Sequence, residues 1–331
     1  MIELKNKLNV SASPHVKSPK TVTGIMFDVI IALVPSLLAS FFLFGPQALA
    51  VVVVCVCTCV LSEFICRKVM KRNNTINDLS AIVTGLLLAF NLPSTIPLWM
   101  AAVGSVVSIV VVKQFFGGIG QNFVNPALAG RIILLTSFPT AMAAWTKPFS
   151  WQTEAVTTAS PLAAMYNEAG EFTAENLPSL SDMLMGNRAG CLGEVCAIGL
   201  ILGGLYLVIR KVISPVIPLT FIGTVAVFMA FAGGFDMNFV AYQILSGGLL
   251  IGAIFMATDY TTSPISFKGK IIFGIGCGLI TSLIRIYGNL PEGVSFAIVL
   301  MNILVPHIEK LTAPKPFGSV KEKKSKEEKQ I

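Results

Sequence analysis

The feature that most constrains this chain is a series of apolar blocks, each about twenty residues long and separated by short polar loops. A helix of that length crosses the hydrocarbon layer of a bilayer, which is roughly 30 Å thick. Hydrophobic residues make up 54% of the chain and charged residues only 12%, whereas an ordinary soluble domain has about 25% charged residues. We therefore predict an all-α polytopic membrane protein embedded in a lipid bilayer.

Hydropathy predicts about ten transmembrane helices in two groups of five. The predicted spans are residues 24–44, 47–66, 79–93, 96–113, 125–145, 190–209, 213–232, 239–257, 271–288 and 293–311. The chain is accordingly divided into a cytoplasmic N-terminal segment (1–23), a first membrane half (24–145), an extracytoplasmic loop (146–189), a second membrane half (190–311) and a basic cytoplasmic tail (312–331).

Basic residues predict the orientation, because the cytoplasmic loops of membrane proteins are enriched in lysine and arginine. They precede the first predicted span and follow every second span, whereas the opposite short loops have almost none. The residues are Lys5, Lys7, Lys17, Lys20, Arg67, Lys68, Lys71, Arg72, Lys113, Arg210, Lys211, Lys268 and Lys270, with more in the tail. Both termini are thus predicted in the cytoplasm. Because the basic residues lie in loops and not on one face, no nucleic-acid partner is predicted.

The cysteines raise the question of a metal site. Cys55, Cys57 and Cys59 lie in one apolar span at a spacing that distributes them around a helix. No histidine or carboxylate accompanies them, so packing is favoured over a metal site. The chain also shows no dinucleotide-binding glycine motif and no cysteine spacing typical of an iron–sulfur cluster. We predict neither a metal site nor a catalytic residue.

The third and eighth predicted spans contain similar segments, Ser80-Ala-Ile-Val-Thr-Gly-Leu-Leu-Leu-Ala and Ser246-Gly-Gly-Leu-Leu-Ile-Gly-Ala. They are five spans apart, and an odd offset gives the two halves opposite orientations in the membrane. The pattern predicts two inverted repeats of five helices. A chance similarity between helices rich in glycine and leucine would explain the two segments as well.

The long loop contains the segment Glu154-Ala-Val-Thr-Thr-Ala-Ser-Pro-Leu-Ala-Ala-Met165. Connections as long as this loop are usually functional or disordered. Ser160 before Pro161 is typical of a helix N-cap followed by the first helical residue. A phosphate ester at such a helix start would meet unpaired N–H groups and the positive end of the helix dipole.

Two further segments place polar groups at predicted membrane depth. One includes Asn122, Asn125 and Arg131 at the start of the fifth span, and the other includes Thr258 and Asp259 after the eighth. Helix capping explains an Asn-Pro pair at a helix start. However, amides and a cation within a membrane are costly unless they face a partner.

Acidic side chains in or near apolar spans are candidates for an ion path. Asp28 and Asp259 are the two residues that we predict for such a path. Asp28 and Glu63 both lie near span ends, where a side chain that extends to the membrane surface is the better explanation.

The loop segment resembles a flavinylation motif of the family that contains the D subunit of Rnf complexes and the B subunit of the sodium-translocating NADH:quinone oxidoreductase. In that motif, Asp-x-x-Ser/Thr-Gly-Ala-Thr/Ser, a flavin transferase joins the last hydroxyl group to the phosphate of FMN. Glu154 replaces the aspartate, Thr157 fits, Thr158 replaces the glycine, Ala159 fits and Ser160 occupies the esterified position. The resemblance implies covalent FMN at Ser160, with Thr157 and Thr158 as alternative attachment points.

The other polar segments resemble the same family. Asn122 and Asn125 match an Asn-x-x-Asn-Pro-Ala segment that is associated with non-covalent riboflavin, and amide side chains suit the edge of an isoalloxazine ring. Residues 256–264 are similar to the signature Ala-Thr-Asp-Pro-x-Thr/Ser-Ser/Ala-Pro, with Tyr260 in place of the first proline. The resemblance therefore implies riboflavin as a second cofactor. Its predicted binding residues are Asn122, Asn125, Arg131, Thr258 and Asp259.

The resemblance extends over the whole chain and implies a flavoprotein subunit of an Rnf ion-translocating ferredoxin:NAD⁺ oxidoreductase in a bacterial inner membrane. Such a subunit relays electrons through flavin, coupled to Na⁺ or H⁺ translocation, and does not act on ferredoxin or NAD by itself. Its implied partners are the other membrane and peripheral Rnf subunits and a flavin transferase. One alternative is the B subunit of the quinone oxidoreductase, which usually has a longer N-terminal extension than residues 1–23 here. The other is a channel or transporter with inverted repeats and no redox role.

Overall fold

The computed structural model describes residues 20–152, 158, 160–165, 177–288 and 293–314, and these residues form an all-helical bundle. Its helices are α1 (Val22–Phe44), α2 (Pro46–Val69), α3 (Ser80–Phe90), α4 (Leu98–Val106), α5 (Pro126–Ser137), α6 (Pro139–Met142), α7 (Pro161–Ala164), α8 (Leu180–Met185), α9 (Ala197–Ile209), α10 (Val216–Ala232), α11 (Met237–Leu245), α12 (Leu249–Ile251), α13 (Phe267–Tyr287) and α14 (Val294–Thr312). Two of them continue as π-helices, α4 over Val107–Gln114 and α12 over Gly252–Met256.

Four helices of the described residues are long and apolar enough to cross a bilayer, namely α1, α2, α13 and α14. A fifth span is formed if α11 and the extended α12, which meet at a bend of 64°, are counted together. Shorter apolar helices occupy the other predicted spans: α3, α4 with its π-helical extension, α5, α9 and α10. The prediction of an all-helical membrane protein is confirmed, whereas ten complete crossings stay a prediction.

The predicted span 239–257 is not one helix. It breaks between Leu245 and Leu249, because Gly247 and Gly248 adopt positive φ angles of 71° and 67°. Glycine adopts this backbone conformation readily since it has no Cβ atom. The break gives α11 and α12 different directions and leaves backbone groups at the break that need partners outside the helix.

Three other predicted spans are several residues longer than the helices that form. In the predicted span 190–209, α9 begins only at Ala197, because residues 190–196 form turns. In the predicted span 79–93, Leu79 takes a left-handed conformation, so α3 begins at Ser80, and α3 ends at Phe90. In the predicted span 125–145, α5 ends at Ser137, because Pro139 lacks an N–H group to continue the helix and starts the short α6.

The short loops pack at two opposite ends of the bundle. At one end, Lys20 Nζ donates to the backbone oxygens of Arg210 and Lys211 at 3.3 and 3.0 Å, and Arg72 Nη1 donates to Gln114 O at 3.4 Å. We call this the basic end. Lys20, Arg72 and the loop of Arg210 and Lys211 therefore contact other loops of the group that sequence analysis placed in the cytoplasm.

The segment between the two halves packs at the opposite end, which we call the loop end. There the backbone N–H of Phe149 donates to Leu43 O at 2.7 Å, and Tyr242 Oη donates to Pro178 O at 2.7 Å. Leu192 N also donates to Leu92 O at 3.0 Å. The described parts of the 146–189 segment thus lie against the loops that sequence analysis placed outside the cytoplasm.

One apolar core continues through both halves. In the first half, α2 packs against α3 and α4, and in the second half α10 packs against α11 and α13, while α1 packs on α9 and α5 packs on α14. Small residues permit close contact, since a Cβ atom on Gly85 would lie 2.8 Å from Val56 Cα. Cys55 and Cys59 are buried and Cys57 is exposed, as expected for packing positions distributed around α2.

Candidate functional site

Most of the residues that were predicted to bind the non-covalent flavin line a cavity at the basic end. It has a volume of about 110 Å³ and adjoins a second cavity of about 400 Å³. Asn122, Asn125, Thr258 and Asp259 all line the first cavity. Ligand pockets in proteins run to roughly 300–1,000 Å³, so the two cavities together have the size of a cofactor site. Arg131 is not among the residues that line either cavity.

The two asparagines are held by the backbone around them. Asn125 caps α5, because its Oδ1 accepts from Ala127 N at 3.0 Å and from Leu128 N at 3.4 Å. Its Nδ2 donates to Met256 O at 3.3 Å, at the end of the π-helix that follows α12. Asn122 Nδ2 donates to Val124 O at 3.1 Å. The capping explanation of Asn125 is therefore confirmed, and its amide also links the two halves of the chain beside the cavity.

Asp259 lies half-buried on the cavity wall, in the loop after α12. Desolvation raises the pKa of its carboxyl group, although hydrogen bonds from the Thr262 and Thr261 hydroxyls act in the opposite direction. The carboxylate accepts from Thr262 at 3.1 Å. Asp259 is therefore a half-buried carboxyl group, held by threonine hydroxyls, at the edge of an apolar cavity.

The same cavity has a charged wall that sequence analysis did not predict. Lys113 lines the cavity and forms an ion pair with Glu63, with Nζ and Oε2 2.8 Å apart. Lys113 also donates to Ser80 Oγ at 2.6 Å, and Thr75 Oγ1 donates to Glu63 Oε1 at 2.7 Å. The exposed fractions of the Lys113 and Glu63 side chains are 3% and 0%. The expectation that Glu63 extends to the membrane surface is therefore wrong, because its charge is paired inside the bundle.

Asp28 lies at the basic end and is not among the residues that line either cavity. Its carboxylate accepts from Tyr206 Oη at 2.9 Å and from Arg210 Nη2 at 3.3 Å. These contacts tie α1 to α9. The proposed role of Asp28 in an ion path stays a prediction, since the contacts alone account for a stable carboxylate at this position.

A third cavity, of about 500 Å³, lies at the loop end, and Thr158 and Pro161, which flank Ser160 in the sequence, line it. Its polar and charged lining residues are Lys147, Thr158, Asp182, Asn187 and Arg188. Ser160 is half-buried and directly precedes α7. The predicted helix start at Pro161 is confirmed, but α7 has only four residues, so its dipole gives a phosphate little stabilisation. Glu154, Thr157 and Ala159 lie outside the described residues.

The hydroxyl groups near this cavity differ in their surroundings. Thr158 N donates to Trp145 O at 2.9 Å, and Thr158 Oγ1 is buried with no hydrogen-bond partner among the described residues. Asp182 is half-buried, and the hydroxyl of Ser179 and the amide of Asn187 lower the pKa of its carboxyl group. The buried hydroxyl without a described partner and the nearby Lys147 ammonium group suit a ligand that carries oxygen atoms and negative charge, whereas the Arg188 guanidinium donates to Leu245 O and Glu194 O.

The break between α11 and α12 is held by charged side chains from other elements. Arg285 on α13 donates to the backbone oxygens of Gln243 at 2.6 Å, Ser246 at 2.9 Å and Gly247 at 3.3 Å. Arg188 donates to Leu245 O, and Glu194 Oε1 accepts from Gly247 N at 2.6 Å. The cations meet the carbonyl end of α11, and the carboxylate meets an amide before α12, as the two helix dipoles favour.

Arg131 belongs to a separate buried network. Its Nη1 donates to Asn91 Oδ1 at 3.0 Å and to Ser295 Oγ at 2.9 Å, and its Nη2 lies 3.6 Å from Cys191 Sγ. The network joins α5, the end of α3 and the start of α14. The structure thus gives Arg131 a helix-linking position, and the flavin role predicted for it stays untested.

Comparison with known proteins identifies the family. The model of the NQR2, RnfD, RnfE family matches residues 9–318. The D subunit of a sodium-translocating ferredoxin:NAD(+) oxidoreductase complex from Acetobacterium woodii is 46% identical over 323 residues, which cover 96% of this chain and 98% of the relative. The proton-translocating counterpart from Clostridium ljungdahlii is 42% identical, with 95% and 97% covered. The D subunit of an ion-translocating oxidoreductase complex from Stutzerimonas stutzeri is 36% identical, with 90% and 92% covered.

Proposed function

Since this chain belongs to the NQR2, RnfD, RnfE family, we propose that it serves as the D subunit of an Rnf-type ferredoxin:NAD⁺ oxidoreductase complex. The observation that carries this proposal is the similarity to the D subunits of such complexes over nearly the full length of both chains. Sodium- and proton-translocating relatives are of comparable similarity, so the coupled ion is Na⁺ or H⁺. The partners are the other membrane and peripheral subunits of the complex.

Covalent FMN is proposed at Ser160. The adjoining cavity supports this site, because Lys147 supplies positive charge and Thr158 supplies a buried hydroxyl without a partner among the described residues. The bound flavin would supply the redox chemistry of electron transfer, while the protein fixes its position and surroundings. A flavin transferase is the partner for maturation. Ser160 is preferred over Thr158 because Ser160 is half-buried, whereas the Thr158 hydroxyl is shielded from solvent.

Non-covalent riboflavin is proposed at the basic end. Asn122 and Asn125 offer amide groups beside the cavity, and Thr258 and Asp259 line the same wall. Lys113 would place a positive charge, paired with Glu63, next to the ring system. The two flavins would then lie at opposite ends of the bundle, as a relay of electrons across a membrane protein needs.

Ten membrane crossings in two inverted halves are part of the proposal. The matched packing of α2 with α3 and α4, and of α10 with α11 and α13, supports it. The basic end would face the cytoplasm of a bacterial inner membrane, with both termini inside. Labelling of single cysteines in the tail and in the loop 146–189 of intact cells tests this orientation, and labelling of both from the same side would contradict it.

The decisive experiment for the proposed function is expression of the full chain with a flavin transferase, followed by a denaturing gel viewed under ultraviolet light. The wild-type protein should give a fluorescent band, and Ser160→Ala should lose it while the protein stays in the membrane. Thr158→Ala is the matched control and should keep the band. A band that persists in Ser160→Ala calls for peptide mass spectrometry to find the esterified residue. A wild-type protein without covalent flavin would favour a channel or transporter without a redox role.

A further inference from the structure

We propose that the break between α11 and α12 is the platform that positions the flavin-bearing segment 160–165, with Gln243 and Arg285 as positioning residues. The inference rests on the proposed attachment of FMN at Ser160. It concerns what holds this segment in place, which neither the sequence motif nor the family resemblance addresses.

The segment contacts the platform directly. Leu162 and Met165 are 4% and 0% exposed, and they form an apolar cluster with Met183 and Tyr242 that is separate from the main core. Gln243 Nε2 donates to Met165 Sδ at 3.6 Å. A Cβ atom on Gly247 would lie 3.0 Å from Leu162 Cδ2, so the glycine at the break leaves the space that Leu162 uses. The segment after Ser160 is therefore docked on α11 and the break.

The platform in turn is fixed to a long membrane helix. Gln243 is fully buried, and its Oε1 accepts from Arg285 Nη1 at 3.2 Å. The Arg285 guanidinium group also binds three backbone oxygens of Gln243, Ser246 and Gly247. Uncapped carbonyl groups at this depth would cost free energy, so Arg285 stabilises the interrupted helix in one geometry. A continuous set of contacts thus leads from Met165 through Gln243 to α13.

The contacts have a consequence for the flavin. Ala164 N donates to Ser160 O at 3.0 Å, so Ser160 belongs to the same helical turn as the docked residues. An FMN group on Ser160 is then anchored to the membrane bundle through this turn, although it lies in a long extracytoplasmic loop. Functional groups need positions defined to about 0.5 Å, which contacts with rigid elements provide better than a free loop does.

The test compares Gln243→Leu with Gln114→Leu in the full chain, with and without a flavin transferase. Gln114 is a matched control, because it is also fully buried but lies at the basic end, and neither of its amide atoms has a partner among the described residues. In Gln243→Leu, backbone amides of residues 162–165 should exchange hydrogen about tenfold faster, with exchange in α1 and α2 unchanged. Gln114→Leu should leave exchange at residues 162–165 as in the wild type.

A spectroscopic readout separates positioning from general stability. The visible circular dichroism of each flavinylated protein, minus that of its Ser160→Ala counterpart, reports the covalent FMN alone. Gln243→Leu should weaken this difference spectrum, and Gln114→Leu should not. Gln243→Glu keeps an acceptor for Arg285 but loses the donor to Met165, so it should loosen the segment without disturbing the break. This variant also carries the test if Gln243→Leu fails to fold.

The outcomes are distinct. Unchanged exchange at residues 162–165 in both Gln243 variants would overturn the inference, as would an unchanged difference spectrum. If the wild-type protein acquires no FMN, the proposed function at Ser160 fails, but the exchange experiment on the flavin-free protein still decides whether Gln243 holds the segment.

Discussion

At the basic end, α3 begins at Ser80, where the Lys113 ammonium group donates to the serine hydroxyl and pairs with Glu63. At the loop end, α12 follows Ser246, where the Arg285 guanidinium group donates to the serine carbonyl and Glu194 accepts from Gly247 N. Each short helix therefore starts beside a buried cation and a carboxylate. The two serines also begin the two similar segments of the sequence.

The two clusters use their charges differently. Lys113 and Glu63 bind each other and other side chains, so the basic-end cluster is an ion pair on the wall of a cavity. Arg285 and Glu194 bind mainly backbone groups, besides the Gln243 side chain, so the loop-end cluster caps an interrupted helix. A lysine provides a compact charge, whereas an arginine provides a planar fork of donors for several carbonyl groups. A buried cation and a carboxylate can therefore line a cavity at one end of the bundle and hold a backbone break at the other.

The largest effect is expected for Lys113→Met. Glu63 would remain buried without its partner, and loss of one member of a buried ion pair costs about 3–5 kcal/mol. Thermal unfolding of the purified protein in detergent should show this loss. The double variant Lys113→Met with Glu63→Leu should recover most of it, because no charge is left unpaired. A single variant as stable as the wild type would show that the ion pair does not stabilise the bundle.

Arg285→Met should have the next largest effect, because several buried carbonyl groups at the break lose their donor, at about 1–3 kcal/mol for each unsatisfied group. Arg285→Lys should retain part of the stability, since one ammonium group reaches fewer of these carbonyls. The ranking wild type, Lys, Met is checked by thermal unfolding. If Arg285→Lys were as stable as the wild type, a single ammonium group would be enough at the break. The loop-end cluster would then not need the several donors of an arginine.

The positions of most helices depend on features that are local in the sequence, so they could be predicted. Long apolar blocks and the basic loops between them predicted helices at the right places, including α1, α2 and α14. The break after Leu245 could not be predicted, because glycine pairs are common in unbroken membrane helices and the capping residue Arg285 is about forty residues away in sequence. The long-range contact decides whether the glycines continue or interrupt the helix.

The candidate site at the basic end could be predicted only in part. The motif resemblance brought Asn122, Asn125, Thr258 and Asp259 to attention, and all of them line one cavity. The Lys113 and Glu63 pair was missed because its members are 50 residues apart and each lies near the end of an apolar block. Charges at such positions usually reach the membrane surface, so only the packing of α2 against α4 shows that these two face each other.

Gly247→Ala tests the break with a single methyl group. Gly247 has a φ of +71°, and a Cβ atom would lie 2.7 Å from Arg285 Nη2. A left-handed conformation at a residue other than glycine costs about 1–3 kcal/mol. The corresponding position after Ser80 is Ala81, which is buried within α3, so Ala81→Gly should cost only about 0.5–1 kcal/mol. Thermal unfolding should show a larger loss of stability for Gly247→Ala than for Ala81→Gly. The opposite order would contradict the contrast between the break at the loop end and the regular helix at the basic end.

The smallest effect is expected for Thr158→Val. This variant compares a threonine hydroxyl at the loop end that has no described hydrogen-bond partner with one at the basic end that has a partner. Thr75 Oγ1 donates to Glu63, so Thr75→Val should lower the stability of the protein, whereas Thr158 Oγ1 has no described partner. In flavin-free protein, Thr158→Val should change the free energy of unfolding by less than about 1 kcal/mol, because no hydrogen bond to a described residue is lost.

In the flavinylated protein, Thr158→Val also tests whether the Thr158 hydroxyl contacts FMN. If the Thr158 hydroxyl contacts FMN attached at Ser160, then Thr158→Val should lower the thermal stability of the flavinylated protein while leaving the flavin-free protein unchanged, because only the flavinylated protein loses a hydrogen bond. Equal effects on both forms would place the hydroxyl outside the flavin contacts. A loss confined to the flavin-free form would contradict the assignment of Thr158 as an unpaired group, and with it the contrast between the two ends.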